Sequence, residues 1–362
     1  MASLAGLAGV ALFGLTAALW LAIGMSTALL AEWLYAQMSG GRVTASFDHA
    51  VLVGLLVGLT LPVGRYEVGG FEPLGWAVPA VASLVAILVG KGVMGGMGNY
   101  LWHPALVGRA VAELLYGEQM HPSRWLVLAR TCLFAKVPRP IEPVEYLGWR
   151  LSTPPDGANA WALPRPVDWL RRLADGEISA NHEDPMTFLF RDVLPPWEDT
   201  LLGGVGGGIG ETCAIALIVG GLYLIYRGYV RWQQPLSVLA GAAAAAAILP
   251  IRVGPGGDLV WLPGTHVDHA LPVGVLYVLF HLTGGELMLC AFFFATDMVA
   301  SPRTVRGQVV FGFGIGLLTI VLRLYGAMPG AGYWAVLLMN TLVPSIDRRT
   351  QRRVMGTGIR PI

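Results

Sequence analysis

Charged side chains are scarce in this chain. Only 13% of its residues are Asp, Glu, Lys or Arg, 55% are hydrophobic, and the mean hydropathy is +0.61. Soluble domains usually carry about 25% charged residues, so this composition excludes a soluble globular protein. The net charge of +1 also excludes a nucleic-acid-binding protein, because such binding needs clustered Lys and Arg. The chain is predicted to be an integral membrane protein in contact with the lipid bilayer.

Cysteine is also rare, and it forms no recognisable motif. The three cysteines include no CxxC pair, so neither a disulfide framework nor a closed zinc site is predicted. His266 and His269 flank Asp268 at a metal-like spacing, but two histidines lack the further ligands of a metal site. Gly-rich strings follow no predicted soluble strand, which excludes a Rossmann fold. We therefore predict no bound metal ion and no catalytic side chain.

Long apolar runs are abundant. A helix needs about 20 apolar residues to cross roughly 30 Å of hydrocarbon. The first run is longer than a signal-peptide core and is predicted to stay as a spanning helix. About nine crossings are predicted, at residues 3–35, 49–63, 75–92, 98–116, 209–226, 235–251, 271–298, 306–323 and 331–346.

Two of these runs are interrupted by glycine or proline. The run 49–63 ends at Leu61-Pro62, and the run 271–298 contains Thr283-Gly284-Gly285. Unwound backbone at membrane depth survives only inside protein or along a cavity, so the interruptions point to a site. Short broken helices ending in LTLP (59–62) and FATD (294–297) indicate two inverted repeats. The predicted fold is an all-α polytopic membrane protein of two inverted repeats with broken half-helices.

The distribution of charge predicts the topology. Arginines in short loops belong on the cytoplasmic side, and here they are Arg227, Arg231, Arg303, Arg306 and the C-terminal group Arg348, Arg349, Arg352 and Arg353. Close to half of all charged residues lie between 117 and 200, which indicates a folded periplasmic insert in a bacterial inner-membrane protein. The predicted organisation is a first membrane repeat (1–116), the insert (117–202), a second membrane repeat (203–347) and a cytoplasmic basic tail (348–362).

Five stretches together resemble one family. They are DHAVLVGLLVGLTLP (48–62), GKGVMGGMGNYLWHPALVGRA (90–110), GGVGGGIGETCAIALIVGGLYLIY (203–226), HLTGGELMLCAFFFATDMVASPRT (281–304) and AVLLMNTLVPSID (335–347). The chain is similar here to the RnfD/NqrB family, whose members belong to the Rnf electron-transport complex and the Na⁺-translocating NADH:quinone reductase. The resemblance implies a fold like that of urea and ammonium transporters. It also implies a pump that couples electron transfer to Na⁺ or H⁺ movement, with other membrane and iron–sulfur or flavin subunits as partners.

The resemblance further implies cofactors. The family attaches FMN to a threonine in a motif like SGATPL and holds further sites for a flavin such as riboflavin, or for quinone, near the membrane. This sequence has no SGAT string; LSTPP (151–155) offers Thr153, with Thr187 and Thr200 as weaker alternatives. A Thr-Pro pair also starts ordinary turns. The resemblance also predicts that one leading helix of the family pattern is missing here.

Small and polar residues in the second stretch are candidate cofactor contacts. Gly95, Gly96 and Gly98 would let a flat ring, or equally another helix, come close. Asn99 and His103 could hydrogen-bond flavin or quinone carbonyls, and His103 stands where the family has an asparagine. Lys91 most simply extends its ammonium group to the membrane interface.

Acidic residues inside apolar runs are candidate ion-path residues, because an ionised carboxylate in hydrocarbon costs about 2.5–3.5 kcal/mol. Gly207 and Gly208 precede Glu211 and could present N–H groups to an anion. Glu211 is interpreted either as a partly hydrated residue in the first turn of the next helix or as part of a cation or flavin site. Asp297 is read as an ion-path residue or a helix cap.

Glu286 is a second intramembrane acid, for which pairing with His281 is conceivable. The leading functional hypothesis is an electron-transferring membrane subunit of a redox-driven ion pump, in which flavin carries the electrons because side chains cannot. The alternative is a flavin-free member of the same architecture that acts as a channel-like transporter or as a scaffold for partner subunits.

Overall fold

The structure is a computed structural model of the chain. It describes residues 2–38, 46–67, 70–73, 75–117, 119–120, 166–174, 185–190, 194, 197–203, 207–253, 258–265, 272–326 and 330–351.

Helices dominate the first half. They are α1 (Ala2–Phe13), α2 (Leu15–Met38), α3 (Phe47–Leu59), α4 (Ala77–Val85), which continues as a π-helix (Ala86–Val93), and α5 (Pro104–Leu115). The predicted single helix at 3–35 is wrong, because Gly14 adopts a φ of +76° between α1 and α2. Helix α3 ends at Leu59, three residues before Pro62, as the LTLP sequence predicts.

The described parts of the predicted insert form short helices that pack against the second half. They are α6 (Pro166–Ala174), α7 (Pro185–Phe188) and α8 (Trp197–Leu202). Leu170, Leu173 and Met186 are buried in the common hydrophobic core, and α6 contacts helices of the second half. This portion of 117–202 is therefore attached to the helical bundle.

The second half contains the remaining helices. They are α9 (Ala214–Tyr226), α10 (Gln233–Ile248), α11 (Val273–Thr283), α12 (Leu287–Leu289), which continues as a π-helix (Cys290–Phe294), α13 (Val305–Tyr325) and α14 (Ala331–Thr350), with a 3₁₀ turn at Pro263–Thr265. Helix α11 and the α12 segment bend by 58° at the Thr283-Gly284-Gly285 sequence. The predicted break in 271–298 is confirmed.

Two short antiparallel hairpins interrupt the helical fold. Strands β1 (Gly64–Glu67) and β2 (Gly70–Pro73) pair with Tyr66 opposite Phe71. Strands β3 (Ile251–Val253) and β4 (Asp258–Val260) pair in the same way. The expectation of an all-α fold is correct for the bundle and wrong for these two connections.

Small residues let the core helices approach closely. On α13, a Cβ atom at Gly316 would clash with the Val238 carbonyl oxygen of α10. Dispersion contacts between backbones at such distances replace the large side chains of soluble cores. The outer surface instead exposes large apolar side chains such as Leu15, Leu222 and Tyr226, a surface suited to lipid.

Two of the described helices, Leu15–Met38 and Val305–Tyr325, are long and apolar enough to cross a membrane alone, and the bent pair Val273–Phe294 would add a third. Four shorter apolar segments accompany them. The number of nine crossings stays a prediction, because interrupted helices of this length do not establish spans by length alone.

Candidate functional site

The predicted interruption at Leu61-Pro62 meets the glycine-rich segment before α9 inside the bundle. The N–H of Ile209 donates to the Leu61 carbonyl at 3.0 Å, and that of Gly210 donates to the Leu59 carbonyl at 2.8 Å. The chain after α3 is thus joined to the chain before α9 by backbone hydrogen bonds. We call residues 59–61 and 207–211 the central junction. In the central junction, N–H groups of one non-helical segment hydrogen-bond to carbonyl groups of another.

Glu211 lies inside the central junction. It is 1% exposed and accepts hydrogen bonds from the Gly208 N–H at 3.0 Å and the Tyr333 hydroxyl at 2.5 Å. The expectation that Glu211 occupies the first turn of a helix is wrong, since α9 begins at Ala214. The partly hydrated environment is also wrong, because neighbouring backbone covers the carboxylate.

Gly207 and Gly208 are adjacent to the same carboxylate. A Cβ atom on Gly208 would stand 3.0 Å from the Glu211 carboxyl carbon, and one on Gly207 would approach Thr212 to 3.1 Å. Side chains at these positions would crowd Glu211 out of its place. The structure therefore brings Gly207, Gly208 and Glu211 together, as predicted, around a buried acid.

Arg109 of α5 supplies positive charge to the junction. Its Nη1 donates to the Thr60 carbonyl at 2.7 Å, and its guanidinium carbon lies 4.3 Å from the centre of the Tyr333 ring. The Glu113 Oε2 lies 3.8 Å from the Arg109 Nη2 and forms an ion pair with it. A cation over an aromatic face is stabilised by the ring quadrupole. Tyr333 therefore connects the positive Arg109 to the negative Glu211.

Glu286 lies at the break between α11 and α12. Its Oε1 accepts from the Arg323 Nε at 3.3 Å and from the Gly332 N–H at 2.9 Å. Pairing with His281 is wrong: the imidazole nitrogens have no hydrogen-bond partner among the described residues. Arg323 also donates to the carbonyls of His281, at 2.6 Å, and Gly284, at 3.1 Å. The arginine thus satisfies the backbone that the break exposes.

A second polar group lies near the middle of α14, where Trp102 donates to Thr341. We call His49, Tyr100, His103 and Asp297 the histidine cluster. The Tyr100 hydroxyl donates to the Asp297 Oδ1 at 3.3 Å, and the rings of Tyr100 and His49 lie 6.0 Å apart. Asp297 also accepts from the Val299 N–H at 3.4 Å, a long bond for a cap. The sequence predicted Asp297 and His103 separately, and the structure brings them together.

Phe294 stands between the two polar regions. Its ring makes edge contacts with His103, at 5.0 Å between centroids, and with Tyr333, at 5.6 Å. Since Tyr333 donates to Glu211, two aromatic side chains, Phe294 and Tyr333, lie between the histidine cluster and the central junction.

The glycine-rich turn after α4 does not reach either region. Gly95, Gly96 and Gly98 have φ values of +102°, +87° and +90°, and nothing lies within 4 Å of a Cβ placed on Gly96 or Gly98. Close packing of another helix is therefore wrong as their explanation; the backbone conformation requires them. Asn99 is exposed and donates to the Gly95 carbonyl at 3.3 Å.

The prediction that Lys91 extends its ammonium group to the membrane interface is wrong. Its ammonium group is 1% exposed and pairs with Glu32 at 2.7 Å, and Ser46 donates to the same carboxylate oxygen. The lysine does not extend to an interface. Sequence reasoning missed Glu32, Arg109 and Arg323, although a charge inside an apolar run was a usable signal for each of them.

Several predicted positions lie outside the described residues, namely Thr153, His266, Asp268 and His269. Thr187 and Thr200 are described and buried, and the Thr200 hydroxyl donates to the Trp197 carbonyl at 2.6 Å. Within the described ranges, no group of three or more His, Cys, Asp or Glu residues is arranged to hold a metal ion.

Comparison with known proteins gives a consistent result. Residues 1–356 match the family described as NQR2, RnfD, RnfE. The D component of the proton-translocating ferredoxin:NAD(+) oxidoreductase complex of Clostridium ljungdahlii is 30% identical over 96% of this chain and 87% of its own length. The D component of the Na(+)-translocating ferredoxin:NAD(+) oxidoreductase complex of Acetobacterium woodii is 28% identical over 95% and 84%. The D component of the ion-translocating oxidoreductase complex of Pseudomonas aeruginosa is 32% identical over 85% and 74%.

Proposed function

Because this chain belongs to the NQR2, RnfD, RnfE family, we propose that it provides a path for an ion. The path passes two groups of polar residues, the histidine cluster and the central junction. The chain is a membrane subunit of a redox-driven ion-translocating complex. Ferredoxin and NAD⁺, which the names of two relatives specify, are proposed as its redox pair. Other subunits of the complex, including iron–sulfur and flavin subunits, are proposed to deliver the electrons.

The burial of Glu211 carries this proposal. An acid that is 1% exposed inside unwound backbone faces a partner or a pathway, since its isolation in hydrocarbon is costly. Asp297 in the histidine cluster and Glu286 beside the second break are proposed as further acids of the path. The central junction, the histidine cluster and the second break therefore each contribute a carboxylate.

Replacement of Glu211 tests the ion path. We expect Glu211→Gln to lower ion-coupled turnover of the assembled complex at least about tenfold, or about 1.4 kcal/mol of barrier, while assembly stays near normal. The amide keeps the shape and removes the charge. Turnover is measured as ferredoxin-dependent NAD⁺ reduction in sealed vesicles.

Asp347→Asn is the matched control, since Asp347 accepts from the Arg303 N–H near the end of α14, away from the junction. Normal turnover and normal ion dependence in Glu211→Gln would exclude the path role.

The membrane topology of the chain is also proposed. We infer about nine crossings in two inverted repeats, a bacterial inner-membrane location, a cytoplasmic C-terminus and a periplasmic 117–202 insert. Two features support a repeat. In each half a π-helix precedes a turn and a further helix, and in each half a buried arginine, Arg109 or Arg323, donates to a carbonyl freed by a break.

Flavin is proposed as the electron carrier, with one FMN attached at Thr153 in the insert. A second, separate flat ring is proposed at the turn of Gly96 and Gly98, where nothing lies within 4 Å of an added Cβ. Asn99 is exposed beside that turn; His103 is buried in the histidine cluster and fits the ion path better than a ring contact. Riboflavin or quinone could occupy the same turn without covalent attachment.

Fluorescence of the denatured chain tests covalent attachment. Ultraviolet illumination of a gel is expected to show a fluorescent band in the wild type and in Ser152→Ala, and a dark band in Thr153→Ala. Unchanged fluorescence in Thr153→Ala would exclude that residue. A dark wild-type band, together with no flavin extracted from the native complex, would favour the flavin-free alternative.

A further inference from the structure

We propose that the ion which this chain accepts is a proton, not Na⁺, and that it binds at the histidine cluster of His49, Tyr100, His103 and Asp297. The inference rests on the proposed ion path and names its substrate. Sequence similarity does not distinguish the two ions. A proton-translocating relative is 30% identical to this chain, and a Na⁺-translocating relative is 28% identical.

The cluster contains proton-accepting atoms that lack partners. Within the described part of the chain, His49 Nδ1, His103 Nδ1 and Asp297 Oδ2 are buried and make no hydrogen bond. They come from three segments, the start of α3, the turn before α5 and the turn after the α12 π-helix. A buried polar atom without a partner is costly. Because these atoms do not hydrogen-bond one another either, we expect bridging water to carry a proton between them.

The charges around these atoms are mixed. The Asp297 charge acts on both His49 and His103, and His49 also acts on His103. Lys91 and Glu32 also act on His49, but they already form a pair of their own. Burial opposes a positive charge on either imidazole, and Asp297, the main negative group acting on both rings, offsets part of that cost.

The same atoms are a poor site for Na⁺. Na⁺ is a hard cation, and hard cations bind several oxygen ligands. Imidazole nitrogen instead binds protons and transition-metal ions. Two of the four side chains here are imidazoles, and a protonated imidazole would repel Na⁺. Chains of Asp and His inside membranes are instead typical proton relays.

Carbonyl oxygens at the two described helix breaks already accept hydrogen bonds from arginine. Broken helices in transporters often coordinate Na⁺ with unwound carbonyls. Here the guanidinium of Arg109 takes the Thr60 carbonyl, and that of Arg323 takes the carbonyls of His281 and Gly284. At each break, the guanidinium group of an arginine thus takes the place that Na⁺ would need.

Ion movement in the complete complex tests the inference. Inverted membrane vesicles that contain the complex are supplied with reduced ferredoxin and NAD⁺, and lumen acidification and ²²Na⁺ uptake are followed with and without a protonophore. We expect acidification that does not depend on Na⁺, and no ²²Na⁺ uptake in the presence of the protonophore. Persistent ²²Na⁺ uptake with the protonophore would overturn the proton assignment and leave the pump intact. Electron transfer without movement of either ion would instead overturn the proposed function.

Histidine variants test the location. We expect His103→Leu and His49→Leu to lower the rate of acidification roughly 100-fold, the usual contribution of a positioned proton carrier, and to flatten its pH dependence. His281→Leu is the matched control, because it removes another buried imidazole without hydrogen-bond partners in the described structure. The amount of assembled complex is measured for each. Acidification in His103→Leu and His49→Leu equal to that in His281→Leu, with the same pH profile, would overturn the assignment of the site.

Discussion

Glu286 and Arg323 each expose about 2% of their side chains. Two charges removed from water gain little net energy from each other, but either one alone is strongly unfavourable. The Glu32–Lys91 pair, with 1% exposure on each side, follows the same rule. At the scale of single residues, this protein keeps its internal charges by pairing them.

Removal of Glu286 alone should therefore lower the free energy of unfolding more than removal of both Glu286 and Arg323. We expect Glu286→Leu to destabilise the protein by about 3–5 kcal/mol, because Arg323 is left without its carboxylate. The double variant Glu286→Leu/Arg323→Leu should recover part of the loss. The measurement is the thermal unfolding midpoint of the purified protein in detergent.

Arg349→Gln on the last turn of α14 serves as an exposed control. A Glu286→Leu midpoint as high as that of Arg349→Gln would show that the buried pair contributes little.

The acids could be predicted from sequence, and their partners could not. Glu211, Asp297 and Glu286 stand out because a carboxylate inside an apolar run is unusual. Tyr333, which donates to Glu211, is 122 residues away along the chain, and Arg323 is 37 residues from Glu286. Tertiary packing alone decides these pairings.

At the scale of helices, local chemistry explains which ends were predictable. The ends at LTLP and at Thr283-Gly284-Gly285 follow from proline and paired glycine, which act on their own turn. The kink at Gly14 was missed because a single glycine is commonly tolerated inside a helix. The β1–β2 hairpin was also missed, although glycine is present at both residues 69 and 70, where β2 begins.

The turn after α4 gives a prediction at this scale. Gly96→Ala and Gly98→Ala should each destabilise the protein by about 1–2 kcal/mol, because alanine is strained at positive φ. Open space at both positions excludes a steric contribution. Thermal unfolding midpoints of the two variants are compared with the wild type.

Gly75→Ala is the matched control, since a Cβ there would make only an ordinary contact with Gln119 at 3.7 Å. Midpoints for Gly96→Ala and Gly98→Ala equal to that of Gly75→Ala would contradict the role of backbone conformation.

At the scale of the whole molecule, one end of the bundle is basic. The Arg303 N–H is bound to Asp347 near the end of α14, so the arginines before α13 and those at the C-terminus share one end. Arginine in short loops stays on the cytoplasmic side. The histidine cluster lies toward this end, because Trp102 donates to Thr341 in the second half of α14.

The native cysteines allow this orientation to be tested. Cys132 belongs to the predicted periplasmic insert, Cys213 is half-buried and Cys290 is buried. A membrane-impermeant maleimide should therefore label intact spheroplasts through Cys132, and Cys132→Ser should abolish the signal. Gln351→Cys in the Cys132→Ser background, at the basic end, should react only after the membrane is opened. Labelling of Gln351→Cys in sealed spheroplasts would invert the topology, and proton uptake at the histidine cluster would then begin from the periplasm.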